Sequence, residues 1–249
     1  MAIGCAWRVI AATLACLSCS AMGSLGHAAA NDGKNPGGKL LRSDSLQETP
    51  RGKKSLVVIG ASYARGWTDT SWGKFAILNK GVDGEQSFEM LARFKRDVLD
   101  ERPDVVIIWG FINDIFRSNR EGIDPTLERT RGNITKMVNL ARANGIKPVI
   151  ATEVTIRGRS GVKETIASWI GRIKGGESYQ DFVNRHVLRT NQWIREYSIE
   201  QRIQLLDFQP LLADGAGRRT REYAREDGSH LSALAYKRLS QYAGEVLSK

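Results

Sequence analysis

Two short runs of uninterrupted apolar residues constrain the fold of this chain more than any other feature. Residues 55–60 (SLVVIG) and 104–109 (DVVIIW) carry consecutive apolar, mostly β-branched side chains with no polar alternation. A strand of that kind is covered on both faces, as in a parallel sheet lying between two layers of helix. Weaker runs at 75–78, 147–151 (KPVIA) and 203–206 (IQLL) bring the strand candidates to five.

Helical patterns fill the intervals. Phe88, Leu91, Lys95 and Val98 form one stripe, closed by Pro103. Asp124-Pro125 predicts an N-cap followed by proline at the first helical position, with Leu127, Ile134, Val138 and Ala141 as the apolar face and Asn144-Gly145 as the stop. Ser232 is expected to cap a last helix bearing Ala235, Leu239, Tyr242 and Val246. Strands alternating with helices through short connections predict an α/β fold: three layers, α/β/α, around a five-stranded parallel sheet of flavodoxin-like order. Ligands in such folds bind beyond the carboxyl ends of the strands. The segment at 155–178 breaks the alternation; rich in Gly, Arg and Lys, it reads equally as a substrate wall near the site or as a surface insertion.

The amino terminus follows a different logic. Arg8, an apolar stretch at 9–17 and Ala28-Ala29-Ala30 have the layout of a secretory signal peptide cut after Ala30. The competing reading is an uncleaved anchor, although the stretch falls short of the roughly 20 residues a spanning helix needs. No lipobox-like pattern precedes Cys16 or Cys19. Residues 31–54 are polar and rich in Gly and Lys, a flexible linker, which leaves 55–249 as one folded domain. Cys5, Cys16 and Cys19 all lie in the leader, so the mature protein is expected to have no disulfide and no cysteine nucleophile or thiolate metal site. The protein is expected in the periplasm or outside the cell, where nucleic acid is no partner. Its excess of 37 basic over 27 acidic residues is compatible with contact to an anionic envelope surface.

The chemistry-bearing residues gather at predicted strand ends. The first strand runs into Gly60-Ala61-Ser62-Tyr63, the second into Asn79-Lys80-Gly81-Val82-Asp83-Gly84, the third into Gly110-Phe111-Ile112-Asn113-Asp114. Asp227-Gly228-Ser229-His230 precedes the last helix. Acyl transfer to serine needs a base to activate the hydroxyl, an acceptor to orient that base, and donors for the negative charge of the tetrahedral intermediate. Ser62, His230, Asp227 and the Gly81–Asn113 pair can fill these roles. Singly each signal is weak, since a serine after a strand is usually a helix cap and a D-x-x-H usually surface. Past the leader, however, only His186 competes with His230, and it sits inside a helical segment with no motif around it.

In this order and setting, Ser62, Gly81, Asn113 and His230 resemble the four blocks of the SGNH, or GDSL, hydrolase family. Asn-x-Gly-x-x-Gly with Ser87 following is similar to its second block, and Asp-Gly-Ser-His-Leu-Ser with Tyr236 following to its last. The resemblance spans residues 55–249. It implies Ser62 as nucleophile, His230 as base and acid oriented by Asp227, and an oxyanion hole from the Ser62 N–H, the Gly81 N–H and the Asn113 amide. It implies no metal or organic cofactor. Ala61 and Tyr63 replace the family's usual Asp and Leu, and two residues, not one, separate Gly110 from Asn113.

The function expected is that of an exported serine esterase acting on a small-molecule, polysaccharide or lipid ester. Two alternatives share the scaffold: an O-acyltransferase on an envelope polysaccharide, and a non-catalytic envelope-binding protein. Arg218, Arg219, Arg221 and Arg225 read either as a grip for an anionic substrate or as a solvated loop; Tyr63, Trp67, Trp72, Phe111 and Phe116 read as core or as an aromatic rim.

Overall fold

In the computed structural model, strand β1 (Lys54–Gly60) occupies the middle of the sheet, as side chains apolar on both faces require. Leu56, Val57, Val58 and Ile59 are all buried. The structure describes residues 52–157 and 177–249. The expected leader at 1–30, most of the expected linker at 31–54, and positions 158–176 of the segment at 155–178 lie outside the described residues.

A two-residue strand β2 (Ser71–Trp72) forms one edge of the sheet and pairs antiparallel with β3 (Phe75–Gly81). β3 and β4 (Val105–Trp109) flank β1 in parallel. Then β5 (Lys147–Ala151) adds to β4, and β6 (Gln204–Leu206) to β5, both parallel. The order β3-β1-β4-β5-β6 is the expected five-stranded flavodoxin-like sheet, with β2 as a sixth, marginal member. β2 is too short to leave a period in the sequence.

Helices α1 (Ser62–Arg65), α2 (Ser87–Phe94), α3 (Ile112–Phe116), α4 (Ile123–Ala143), α5 (Tyr179–Glu200) and α6 (Ala233–Ser248) fill the connections. Two depart from the sequence reading. In α2 the buried face is Ser87, Met90, Arg93 and Phe94, with Leu91 half-buried at its margin, while Phe88 is 44% exposed. The helix widens into a π turn at Lys95–Leu99, so that Asp97 and Val98 both turn inward while Lys95 stays exposed. Its rotation is set by Ser87, bonded to buried Asp114, rather than by the largest apolar side chain. α4 begins at Ile123, after Gly122, whose N–H donates to Asn119 Oδ1. Pro125 thus lies in the first turn, where a missing N–H loses no intrahelical bond, and Asp124 pairs with Arg189 instead of capping.

Other signals hold. Gly145 ends α4 at φ +72°, in the left-handed region. Ser232 Oγ accepts the Ala235 N–H at the start of α6. That helix buries Ala235, Leu239, Ala243 and Leu247, with Tyr242 and Val246 packed along its flank.

The register aligns Gly60 with both Gly81 and Trp109. The carboxyl ends of β1, β3 and β4 therefore finish level, and everything that follows them emerges at one edge. Beneath that edge Trp67, Trp109 and Phe208 pack edge to face, with ring centroids 5.0–5.4 Å apart.

Candidate active site

The nucleophile candidate enters on a one-residue turn. Only Ala61 separates β1 from α1, and Ser62 is the first residue of the helix, half-buried. The N–H of a first helical residue has no intrahelical acceptor. Asn79, at the end of β3, secures this turn with its whole amide. Nδ2 donates to the Ala64 carbonyl at 2.7 Å and to the Trp67 carbonyl, while Oδ1 accepts the Gly81 N–H at 2.8 Å. A Cβ on Gly81 would collide with the backbone of Ala64 and Arg65. Gly81 is therefore glycine because α1 presses against it.

This bears on the expected oxyanion donors. The Gly81 N–H is already spent on Asn79 and is not free for a substrate. Gly84, the second glycine of the same Asn-x-Gly-x-x-Gly, lies at φ +74° with its carbonyl held by Arg117 Nη2 at 2.6 Å. Its N–H has no protein partner among the described residues. The motif contained this residue, but spacing alone does not tell a packing glycine from a donating one.

Asn113 lies in α3, half-buried, and donates one amide hydrogen to the Glu85 carbonyl at 2.9 Å, which leaves its other N–H. The turn ahead of it is held by Glu153. That carboxylate follows β5, is 1% exposed, and accepts the N–H of Phe111 at 3.0 Å and, more weakly, of Ile112 at 3.5 Å. Burial pushes Glu153 up to about 7 against the pull of those donors. Next to Asn113, buried Asp114 accepts the Ser87 N–H and hydroxyl and the Thr130 hydroxyl, locking α2, α3 and α4 together. Burial raises its pKa also. Neither buried carboxylate was singled out by the sequence reading, because burial by distant segments leaves no local pattern.

The base candidate is oriented within its own loop. His230 Nδ1 lies 2.8 Å from Asp227 Oδ2, while Asp227 Oδ1 accepts the backbone N–H of Ser229 and His230, each at 2.8 Å. Partial burial opposes ionisation of Asp227, but these bonds and the Ser229 hydroxyl outweigh it and hold the carboxyl well below the usual range. A carboxylate at Nδ1 fixes the tautomer with Nε2 unprotonated, the form a general base requires. The His230 side chain is 48% exposed and so accessible to a substrate.

No hydrogen bond joins the Ser62 hydroxyl to the His230 ring among the described residues; their loops are joined one residue away. Tyr63, next after Ser62, donates its hydroxyl to the carbonyl of Ser229, next before His230, at 2.6 Å. Tyr236 of α6 donates to the Tyr63 carbonyl at 3.0 Å. The arginines divide: Arg218, Arg221 and Arg225 are exposed, while Arg219 is 1% exposed and bonds inward. Tyr63, Trp67, Trp72 and Phe111 are core, and Phe116 is half-buried against Tyr179. His186 is buried edge-on to Phe182, its ring nitrogens without partners among the described residues, and burial lowers its pKa; it packs in the core. Among the described residues no group of His, Cys, Asp and Glu is arranged to hold a metal ion.

The GDSL-like Lipase/Acylhydrolase family matches residues 57–238. A lipoprotein of Bacillus subtilis, YqeF, is 28% identical over 123 residues, covering 43% of this chain and 51% of the relative, so the match spans about half of that relative's length. Three crystal structures share the fold. A GDSL-like lipase from Bacteroides thetaiotaomicron is 22% identical, with TM-score 0.60 over 78% of this chain and 88% of that one. A member of the lipolytic G-D-S-L family from Veillonella parvula is 18% identical, with TM-score 0.58 over 78% and 98%. The acetylxylan esterase Axe2 from Geobacillus stearothermophilus is 17% identical, with TM-score 0.59 over 80% and 96%. With a sheet of the expected order, the motif-bearing segments at its carboxyl edge and a family match over most of the sequence, the chain belongs to the GDSL-like lipase/acylhydrolase family.

Proposed function

We propose that the protein hydrolyses carboxylic esters through an acyl-enzyme on Ser62. The Ser62 hydroxyl attacks the ester carbonyl carbon as its proton passes to His230 Nε2, and Asp227 stabilises the imidazolium that forms. The carbonyl oxygen, now negative, is met by the Ser62 N–H, the Gly84 N–H and the free amide hydrogen of Asn113, Gly84 standing in the role first given to Gly81. Collapse of the intermediate breaks the ester C–O bond, and His230 returns its proton to the departing alcohol. Water then repeats the sequence: His230 takes its proton, the hydroxide adds to the acyl carbon, and Ser62 leaves reprotonated with release of the acid.

The observation that carries this reading is the oriented Asp227–His230 pair, tied to the nucleophile's turn by the Tyr63–Ser229 bond. The leader at 1–30 and the likeness to a lipoprotein support an exported enzyme whose substrate is a small-molecule, polysaccharide or lipid ester. Ser62→Ala and His230→Ala are each expected to lower turnover of p-nitrophenyl acetate by about 10⁴-fold or more with the fold retained. Wild-type turnover in Ser62→Ala overturns the proposal.

A further inference from the structure

Arg219 is among the largest wholly buried side chains, and among the described residues none of its hydrogen bonds goes to a carboxylate. A buried guanidinium is costly unless its donors are taken up. Here four bonds reach three separate segments. Nε donates to the Thr155 carbonyl beyond β5 at 2.6 Å, and Nη1 to the His230 carbonyl at 3.0 Å. Nη2 donates to the Ser229 carbonyl and to the Tyr63 hydroxyl oxygen, each at 2.9 Å. The guanidinium also lies over the Tyr63 ring, 5.6 Å from its centroid.

On the hydrolase reading above, we infer that Arg219 is a positioning residue that sets the spacing between the Ser62 turn and the His230 loop. The direction of the bonds supports this. Arginine can only donate, so the Tyr63 oxygen must accept from Arg219, and the single Tyr63 proton is left for Ser229. Burial, only partly offset by Arg219, pushes Tyr63 up to about 12, so that proton stays in place through the neutral range. Arg219, Tyr63 and Ser229 form a closed triangle that touches the residue after the nucleophile and the residue before the base. The other titratable group whose charge reaches this triangle from the next strand end is Glu153, and Asp227 acts on Tyr63 from the His230 loop. Lysine cannot replace the guanidinium, because an ammonium is a point donor and cannot span three segments.

The test uses fluorophosphonate titration to count competent sites, so that turnover is expressed per labelled serine. Arg219→Met is expected to lower kcat per labelled site about 100-fold, and Arg219→Lys about tenfold, with KM for p-nitrophenyl acetate within about twofold of wild type. Tyr63→Phe, which keeps the guanidinium but opens the triangle, is expected to fall between wild type and Arg219→Lys. Arg218→Met, exposed next door, should match wild type. If the Arg219 variants label fewer sites but each labelled site turns over at the wild-type rate, Arg219 only supports folding and the inference is overturned. Should Arg219→Met fail to fold, Arg219→Lys and Tyr63→Phe decide by the same ratio. Failure of the hydrolase reading is distinct: wild type itself then goes unlabelled, or Ser62→Ala labels as wild type does.

Discussion

Glu153 places an ionisable group where charge is expensive, beneath the turn that carries Asn113. Its carboxyl in the fold is raised from 4.5 to about 7. The folded state therefore binds this proton more tightly than the unfolded chain, so the stabilisation is complete below pH 4.5 and is lost as pH rises through about 7. A rise of that size is worth about 3 kcal/mol. Glu153→Gln keeps an acceptor for the Phe111 N–H but cannot ionise. Urea unfolding of wild type is expected to lose about 3 kcal/mol more than the variant between pH 4.5 and pH 8; equal losses would show that Glu153 does not titrate in this window. Ser62, Asn113, Asp227 and His230 stood out in the sequence because each lies beside a strand end or cap within a short motif. Glu153 and Asp114 did not, and Arg219 stood out only as one of four arginines ahead of Asp227, because what makes these three matter is burial by segments distant in the chain.

Among the elements, α1 and the end of β3 are the most exacting pair. Asn79 gives its entire amide to holding them, and Gly81 allows the backbones to touch. Gly81→Ala is expected to cost about 2 kcal/mol in thermal or urea unfolding and, on the proposed mechanism, to lower kcat more than it raises KM, because what is displaced is the turn that carries Ser62. A change in KM alone would place the strain elsewhere. The parallel strands were legible as continuous apolar runs, and α6 as a capped amphipathic helix. The buried face of α2 was misread because a π turn shifts the phase of the stripe partway along, and a fixed helical period cannot register that. The start of α4 was misread because Asp-Pro imitates a cap, while Asn119 and Gly122 supply the real one.

At the scale of the molecule, α6 closes what the sheet leaves open. Trp67 Nε1 donates to Ser240 Oγ at 2.8 Å, Gln204 to the Val246 carbonyl at 2.8 Å, and Tyr236 to the Tyr63 carbonyl at 3.0 Å. A chain ending at Ser232 keeps Ser62, Asn113, Asp227 and His230, yet uncovers Trp67 and Phe208. It is expected to lose near-ultraviolet circular dichroism and fluorophosphonate labelling together; a truncated chain that still labels fully would contradict this. The bond between Tyr63 and Ser229 joins residues 166 positions apart. On the proposed mechanism the hydroxyl and the imidazole come from segments far apart in sequence, so no ester can be cleaved until those segments have folded together. Contacts of such long range also form late in folding. Recovery of catalysis after dilution from denaturant should therefore trail the return of tryptophan fluorescence, making turnover a clock for the final stage of assembly.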